Sequence, residues 1–266
     1  MGIKTDIALQ ELQKHFFAFE IQQLQATTDG IMDTTYIAIG KKASYILKKY
    51  EREIPKKIAF DTELLKHLHT KGLNVSYLLA ESQPWYLYKK LKGKTPTTIH
   101  LYHLQILGRS IAKLHQQTQI FTEQSNFIDN YPLKNYLRAS LKISFYYYKK
   151  LSSLTTYKQE CNGFIHGDIF KDNTLFDKNS VALFDFIDGG CGSFAFELGV
   201  IEISFNPKQK KSFTKMLLRT YNQNAPKKIT PQELALAVTN AAKLYGLLRI
   251  SHHKNTKRSK ELLNFI

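Results

Sequence analysis

The strongest constraint on the fold comes from residues 164 to 177, "FIHGDIFKDNTLFD". Apolar residues flank the polar cluster His166, Gly167 and Asp168, and Asn173 follows five residues after Asp168. A second apolar run, "VALFDF", contains Asp185 and is separated from "TLFD" by the turn residues "DKNS". This alternation predicts a short β-hairpin. Such a hairpin would bring Asp168, Asn173 and Asp185 to one edge.

Three oxygen-bearing side chains at one edge suit phosphoryl transfer. That reaction requires a group that orients a hydroxyl nucleophile and ligands that hold magnesium against phosphates. Magnesium binds one or two carboxylate or amide oxygens, completed by phosphate and water. In this interpretation Asp168 accepts the proton of the attacking hydroxyl, while Asn173 and Asp185 hold the metal. The structural alternative is that His166 and Asp168 only cap a turn.

The rest of the chain predicts an α+β protein. Residues 5 to 26 carry apolar side chains at three- and four-residue steps and predict an amphipathic helix. The runs at 36 to 39 and 45 to 47, joined by "GKKA", predict a hairpin, and residues 58 to 70 predict a helix that stops at Gly72. Strands are expected through "SYLLA" and "WYLYKKL". Helices are expected over 100 to 117 and within 131 to 160.

Composition excludes several classes of protein. A chain of 266 residues with 43% hydrophobic and 12% aromatic content is not a disordered linker. No apolar run approaches the roughly 18 to 20 residues that a membrane-spanning helix needs, so no membrane association is expected. With only Cys161 and Cys191, we expect no disulfide framework and a reducing, cytoplasmic compartment. Cys191 is interpreted as a passive small residue in a tight loop, with a reactive thiol as the alternative.

The net charge of +16 raises the question of a polyanionic partner. The positive residues are mostly lysines spread in pairs along the chain, and only "SHHKNTKRSK" near the C-terminus is locally dense. This dispersion favours a solvated lysine-rich surface over a groove that follows phosphates, so nucleic acid is not the expected partner. A basic binding module built on an inactive enzyme fold is kept as the alternative.

The sequence resembles the kinase-like phosphotransferases that include aminoglycoside and choline kinases, and within them the homoserine kinases. The resemblance covers most of the chain through "GIMDTTY", "YILKKYE", "LLKHLHTKGLNV", "GRSIAKLH", "HGDIFKDNTLFD", "LFDF", "FELGV" and "AAKLYGLLRISHHK". Protein kinases are a poorer match, because the loop reads H-G-D and Phe186-Ile187 follows the second Asp. Few residues separate Asp185 from the "FAFELGV" helix, which leaves no room for a long activation loop.

The resemblance implies a two-lobed, protein-kinase-like fold, with a small antiparallel-sheet N-lobe over residues 1 to 90 and a helix-rich C-lobe over 91 to 266. It implies ATP and Mg²⁺ as cofactors. It gives Asp168 the role of catalytic base, His166 that of shaping the catalytic loop, and Asn173 and Asp185 those of metal ligands. Glu197 matches an acidic position that steadies the loop in the family. The oligomeric state stays open between monomer and homodimer.

On the nucleotide side, the resemblance implies that Lys48 contacts the α- and β-phosphates. A carboxylate from the helix at 58 to 70 should pair with it, either Asp61 or Glu63. The segment "DGIMDTT", with Gly30, Thr34 and Thr35, would cover the phosphates, although it lacks G-x-G-x-x-G and contains an unexpected acidic residue, Asp33.

The implied acceptor is a small molecule with a hydroxyl group, with L-homoserine favoured, which would place the protein in threonine biosynthesis. Arg249 could clamp the substrate carboxylate and Asp188 could bind its ammonium, with Glu202 as a less favoured partner. Another amino alcohol, choline or an aminoglycoside is the alternative. A polycationic aminoglycoside fits a chain of net charge +16 poorly.

Overall fold

The computed structural model describes residues 4–27, 32–251 and 256–266. The chain divides into two compact units, Met1–Lys92 and Gly93–Ile266. The fold is α+β, with an antiparallel sheet in the N-terminal unit and a helix-rich remainder.

The first unit is a five-stranded antiparallel sheet in the order β1-β2-β3-β5-β4. The strand bounds are β1 Ile21–Ala26, β2 Thr34–Gly40, β3 Ser44–Lys49, β4 Leu78–Ser82 and β5 Trp85–Lys89, and the helices are α1 Leu9–His15 and α2 Pro55–Thr70. Tyr36 and Ala38 of β2, Leu47 of β3 and Leu87 of β5 are buried in one apolar cluster. Their two-residue spacing places them on one face of the sheet, so the predicted hairpin, the α2 helix and both later strands are confirmed.

The predicted N-terminal helix over residues 5 to 26 is wrong in its second half. The α-helix ends at His15, and Glu20 adopts a left-handed φ of 48° before β1 begins at Ile21. Strand β1 pairs with β2 in antiparallel register from Ile21 opposite Gly40 to Ala26 opposite Tyr36. The apolar spacing that suggested one helix therefore serves two elements, because pairing at the sheet edge satisfies the backbone of "IQQLQA".

The second unit is mainly helical. Its helices are α3 Leu101–Thr118, α4 Leu133–Ile143, α5 Phe145–Leu151, α6 Phe194–Phe205, α7 Lys211–Asn222, α8 Pro231–Ser251 and α9 Thr256–Leu263. All twelve residues of α6 are buried. The side chains of α4, α5, α6 and α8 contribute to one apolar core. Helix α6 is therefore the central element of the second unit.

Two small antiparallel sheets lie among these helices. One pairs β6 Gly163–Ile165 with β9 Gly190–Gly192, and the other pairs β7 Thr174–Asp177 with β8 Ser180–Leu183. The predicted hairpin is confirmed as β7 and β8, but "FI" belongs to the other sheet. The structure contradicts the expectation that the two cysteines form no disulfide framework. The sulfur of Cys191 in β9 is bonded to Cys161, and the Cα atoms of the two residues are 5.2 Å apart.

No helix among the described residues combines the length and the apolar composition that crossing a membrane requires.

Candidate active site

The end of the β7–β8 hairpin brings the predicted metal ligands together. Thr174, the first residue of β7, pairs with Leu183, the last residue of β8. Asn173 immediately precedes Thr174 and Asp185 follows Leu183 by two residues, so both lie at this end. Asp185 is close enough to Asp168 for its charge to raise the pKa of Asp168. The structure therefore brings all three oxygen-bearing side chains to one place, as the sequence predicted.

Asn173 is bonded directly to Asp168. Its amide nitrogen donates to the backbone oxygen of Asp168 at 2.8 Å and to the carboxylate Oδ2 at 2.9 Å. These two bonds fix the rotamer of Asn173 and orient the Asp168 carboxylate. They engage the nitrogen of the Asn173 side chain, so its carbonyl oxygen is the atom that could bind a cation.

The loop between β6 and β7 carries Asp168. His166 connects this loop to the segment that carries Asp185. Its Nδ1 accepts a hydrogen bond from the backbone N–H of Asp168 at 3.2 Å, and its Nε2 lies 2.9 Å from the backbone oxygen of Phe184. A carbonyl oxygen can only accept, so Nε2 carries the ring proton. The ring packs against Phe186 with 4.5 Å between ring centroids. His166 thus connects the residues on either side of Asp185 to the loop, which agrees with the shaping role expected for it.

Glu197 on α6 binds the backbone of the loop through its carboxylate. Its carboxylate accepts hydrogen bonds from the backbone N–H groups of His166 at 3.2 Å and Gly167 at 2.6 Å. The third donor is His115 Nε2 on α3 at 3.2 Å, and His115 Nδ1 lies 2.8 Å from the hydroxyl of Tyr221 on α7. These contacts join four elements around one buried carboxylate.

The electrostatics of this buried group follow from its contacts. Burial opposes the carboxylate charge, but the hydrogen bonds from His115 and from the backbone N–H of Gly167 outweigh this effect and hold the pKa of Glu197 below its ordinary value. Burial lowers the pKa of His115. His115 is then a neutral ring that donates from Nε2 to Glu197 and accepts from Tyr221 at Nδ1.

Two residues of the site have left-handed backbone. Gly167 has φ of 76°, and a Cβ at this position would lie 2.0 Å from the ring of Phe127, so glycine is required on both counts. Asp185 has φ of 70°, a conformation that costs an ordinary residue roughly 1–2 kcal/mol. Strain of this kind is concentrated at functional sites.

The carboxylate of Asp168 has an unusual proton affinity. Removal of water around it raises its pKa to about 6, with further upward contributions from Asp172 and Asp185 and downward ones from His166 and Arg249. A base works best when its pKa lies near the working pH. The geometry and the pKa both suit Asp168 for proton acceptance, and Arg249 on α8 is near enough to act on the same carboxylate.

Two tyrosines next to Asp168 were missed in the sequence. Tyr245 on α8 is buried, and its hydroxyl donates to the backbone oxygen of Gly167. Tyr131 is partly exposed, and the charges of Asp168 and Asp188 raise its pKa beyond what burial alone does. Asp188 is held by a hydrogen bond from Asn130 to its backbone oxygen at 3.1 Å. "LYGLLR" and "DNYP" carry no local pattern that would separate these rings from ordinary core aromatics.

The first unit places the predicted phosphate-binding lysine beside an unexpected carboxylate. Lys48 Nζ in β3 lies 3.7 Å from Asp33 Oδ2, and Asp33 also contacts Arg52 at 3.5 Å. The expectation that a carboxylate of α2 pairs with Lys48 missed this contact. Of the two candidates on α2, Asp61 is buried and Glu63 is exposed, so Glu63 in a cofactor-binding role lacks support from its position.

The two threonines expected over the phosphates differ in their surroundings. Thr34 is buried, and its hydroxyl donates to Glu51 at 2.6 Å and accepts from the backbone N–H groups of Lys4 and Thr5. A phosphate contact through this hydroxyl would have to replace one of these bonds. Thr35 pairs with Lys48 across β2 and β3 and shares its face of the sheet. Gly30 lies outside the described residues.

The remaining carboxylates do not form a cage for a metal ion. In the described part of the chain, no group of three or more His, Cys, Asp and Glu side chains is arranged to hold one. An amide with one carboxylate, completed by phosphate oxygens and water, is a set that Mg²⁺ accepts. Glu202 is buried and is bonded to Asn206 at 2.9 Å and Thr214 at 3.2 Å, so its side chain joins α6 to α7.

Solved structures of small-molecule kinases share this fold. The amicoumacin kinase in complex with AMP-PNP, Ca²⁺ and Ami superposes with a TM-score of 0.74 at 16% identity, covering 97% of this chain and 94% of that chain. The microcompartment-associated aminopropanol kinase superposes with a TM-score of 0.65 at 16% identity, covering 97% and 94%. The chain therefore has a kinase-like fold.

Sequence relatives narrow the class. The chain belongs to the phosphotransferase enzyme family (APH), which it matches over residues 23–231. It is 24% identical over 227 residues to a homoserine kinase of Polaromonas naphthalenivorans, covering 75% of this chain and 72% of the relative. It is 24% identical over 289 aligned positions to a homoserine kinase of Bartonella henselae, covering 96% and 90%. The predicted fold and family are therefore confirmed.

Proposed function

We propose that this phosphotransferase transfers the γ-phosphoryl group of ATP, with Mg²⁺, to the hydroxyl group of L-homoserine. The observation that carries the reaction type is the pair of hydrogen bonds from Asn173 to Asp168, with Asp185 at the same end of the hairpin. In a phosphoryl transfer the protein mainly positions groups and stabilises charge. A base that is hydrogen-bonded to one oxygen ligand, with a second ligand at the same end of the hairpin, meets that requirement.

The donor set fits magnesium. Asn173 Oδ1 and the Asp185 carboxylate would hold the ion, which when bound draws negative charge from the phosphates. Asp168 would accept the proton of the substrate hydroxyl, and the bonds from Asn173 and His166 would keep its carboxylate and backbone in one orientation. Lys48 and Thr35, side by side on β3 and β2, would bind the nucleotide phosphates, and Asp33 would hold the lysine in the absence of nucleotide.

Homoserine is favoured by two charged groups near Asp168. Arg249 is one of the charges that influence the Asp168 carboxylate, and a guanidinium can clamp a substrate carboxylate through two parallel hydrogen bonds. The charges of Asp188 and Asp168 both raise the pKa of Tyr131, so the two carboxylates have this tyrosine as a common neighbour. An ammonium bound at Asp188 and a carboxylate bound at Arg249 would place a short hydroxyl chain toward Asp168.

A panel of acceptors tests the substrate. ADP release is measured with MgATP and L-homoserine, 1-amino-2-propanol, choline, an aminoglycoside or a neutral sugar. We expect the highest kcat/KM for L-homoserine. A preference for aminopropanol would reassign the acceptor to an amino alcohol without a carboxylate, which the likeness to the aminopropanol kinase makes the second candidate. Arg249→Lys separates the two, because it should raise KM for homoserine and leave KM for aminopropanol unchanged.

The role of the base is tested by Asp168→Asn. The asparagine keeps the shape of the side chain and removes the proton acceptor, so the variant should fold and lose roughly 10²- to 10⁴-fold in kcat. Asp177→Asn, at the exposed far end of β7, is the matched control. Near-normal turnover by Asp168→Asn would contradict the assignment.

A further inference from the structure

We propose that Tyr245 is a positioning residue for the phosphoryl-transfer reaction: its hydroxyl fixes the Gly167 peptide and thereby the direction of Asp168. The inference rests on the phosphotransferase activity proposed above. It concerns a residue on α8, far in sequence from the loop.

The Gly167 residue is held from opposite sides. Its N–H donates to Glu197 Oε1 at 2.6 Å, and its carbonyl accepts from Tyr245 Oη. The carbonyl of Gly167 belongs to the peptide that continues into Asp168. With the N–H bonded to α6 and the carbonyl bonded to α8, neither peptide that flanks Gly167 can rotate without breaking a buried hydrogen bond.

The loop needs this second restraint because Gly167 is conformationally permissive. Glycine reaches left-handed φ values without a steric penalty, so the residue itself does not select one backbone conformation. Contact with Phe127 excludes a side chain here, so the chain cannot replace the glycine by a stiffer residue. The hydrogen bond from Tyr245 restrains this peptide from outside the loop, and it adds to the bond within the loop from the Asp168 N–H to His166 Nδ1.

The ring of Tyr245 is itself firmly held. It is buried in the core of the second unit and packs edge to face on Phe170, with 4.7 Å between ring centroids. A rigid ring delivers its hydroxyl to a defined point. A phenylalanine ring would fill the same space in the core. The hydroxyl group of tyrosine adds a desolvation cost when it is buried, unless it forms a hydrogen bond. The hydroxyl is therefore explained by its bonding to the loop.

Tyr245→Phe removes this hydroxyl and leaves the ring. We expect kcat to fall about tenfold while KM for ATP stays within twofold, because the nucleotide is not bound by the loop carbonyl. Tyr157→Phe is the matched control, since Tyr157 is a partly buried tyrosine that packs on Phe196 at the edge of the same core. Equal kcat values for Tyr245→Phe and wild type would overturn the proposal.

A double-mutant cycle separates positioning from general stability. If Tyr245 acts through Asp168, then Tyr245→Phe should have almost no effect on the residual single-turnover rate of Asp168→Asn. A purely structural role predicts the same tenfold loss in both backgrounds. Additive losses would therefore overturn the proposal.

A readout without substrate distinguishes failure here from failure of the proposed acceptor. Amide hydrogen exchange of a peptide that covers residues 166 to 168 should be faster in Tyr245→Phe than in wild type and in Tyr157→Phe. If no acceptor in the panel is phosphorylated but exchange is faster, the acceptor assignment fails and the positioning role stands. Unchanged exchange would overturn the positioning role whatever the acceptor.

Discussion

The substitution Glu197→Gln tests how the loop that carries Asp168 is held. The carboxylate accepts three hydrogen bonds, from the backbone N–H groups of His166 and Gly167 and from His115. A glutamine side chain has one oxygen and one NH₂ group. In its best orientation the NH₂ replaces Oε1 and faces the N–H of Gly167, so one buried donor loses its acceptor.

The magnitude follows from these bonds. A buried donor left unsatisfied costs about 1–3 kcal/mol, and two further bonds lose the extra strength of a charged acceptor. We expect the free energy of unfolding to fall by about 2–4 kcal/mol. For a chain of this size that corresponds to a decrease of roughly 4–16 °C in Tm.

Thermal unfolding followed by circular dichroism measures the effect. Glu123→Gln is the control, because Glu123 is an exposed residue outside these elements and should shift Tm by less than about 1 °C. If Glu197→Gln and Glu123→Gln have the same Tm, the carboxylate of Glu197 does not anchor the loop and the account of the site is wrong.

Three further outcomes are expected. Asp185→Ala should abolish the Mg²⁺-dependent part of nucleotide binding in calorimetry, and unchanged binding would count against its role as a ligand. Because burial lowers the pKa of His115 below 6.5, its contribution to stability is fully present above pH 6.5 and declines as the pH falls, by up to about 1.4 kcal/mol per pH unit; urea unfolding of wild type at pH 7 and pH 5 should show a steeper loss than His115→Gln, and equal slopes would refute this. Gly167→Ala should lower Tm and kcat together, because its Cβ meets Phe127 at 2.0 Å; a variant with normal Tm and rate would show that the loop adapts.

The candidate site was predictable where its residues are local in sequence. Asn173 and Asp185 flank the β7–β8 hairpin, and a turn between two short apolar runs brings them together without help from the rest of the chain. Asp168 lies outside this hairpin, in the segment that leads from β6 to β7, and the short sequence distance to Asn173 keeps it nearby. The structure shows this hairpin in the antiparallel pairing of Thr174 with Leu183. Their roles in binding and catalysis stay predictions.

Long-range partners could not be predicted in the same way. Asp33 contacts Lys48 because β2 and β3 pair in the register that sets Thr34 opposite Lys49, and no sequence pattern specifies that a carboxylate just before β2 reaches this lysine. Tyr245 meets Gly167 across 78 residues of chain. Such contacts depend on how whole helices pack, which periodicity alone does not determine.

The predictions of strands β1 and β9 from the sequence failed for a related reason. The glutamine-rich β1 has little intrinsic preference for a strand, and its apolar spacing also fits a helix. Its conformation comes from pairing with β2. Strand β9 consists of Gly190, Cys191 and Gly192, and its conformation comes from pairing with β6 and from a bridge between Cys191 and Asn126.

Helix α6 has no face that meets water, since all of its residues from Phe194 to Phe205 are buried. Most helices alternate tolerant and intolerant positions with a period near 3.6 residues. A saturation library of this chain, sorted for soluble expression, should instead lose charged replacements uniformly along these twelve positions. Helix α6 therefore offers no exposed position for labelling or for surface redesign, and such changes must be made on other helices.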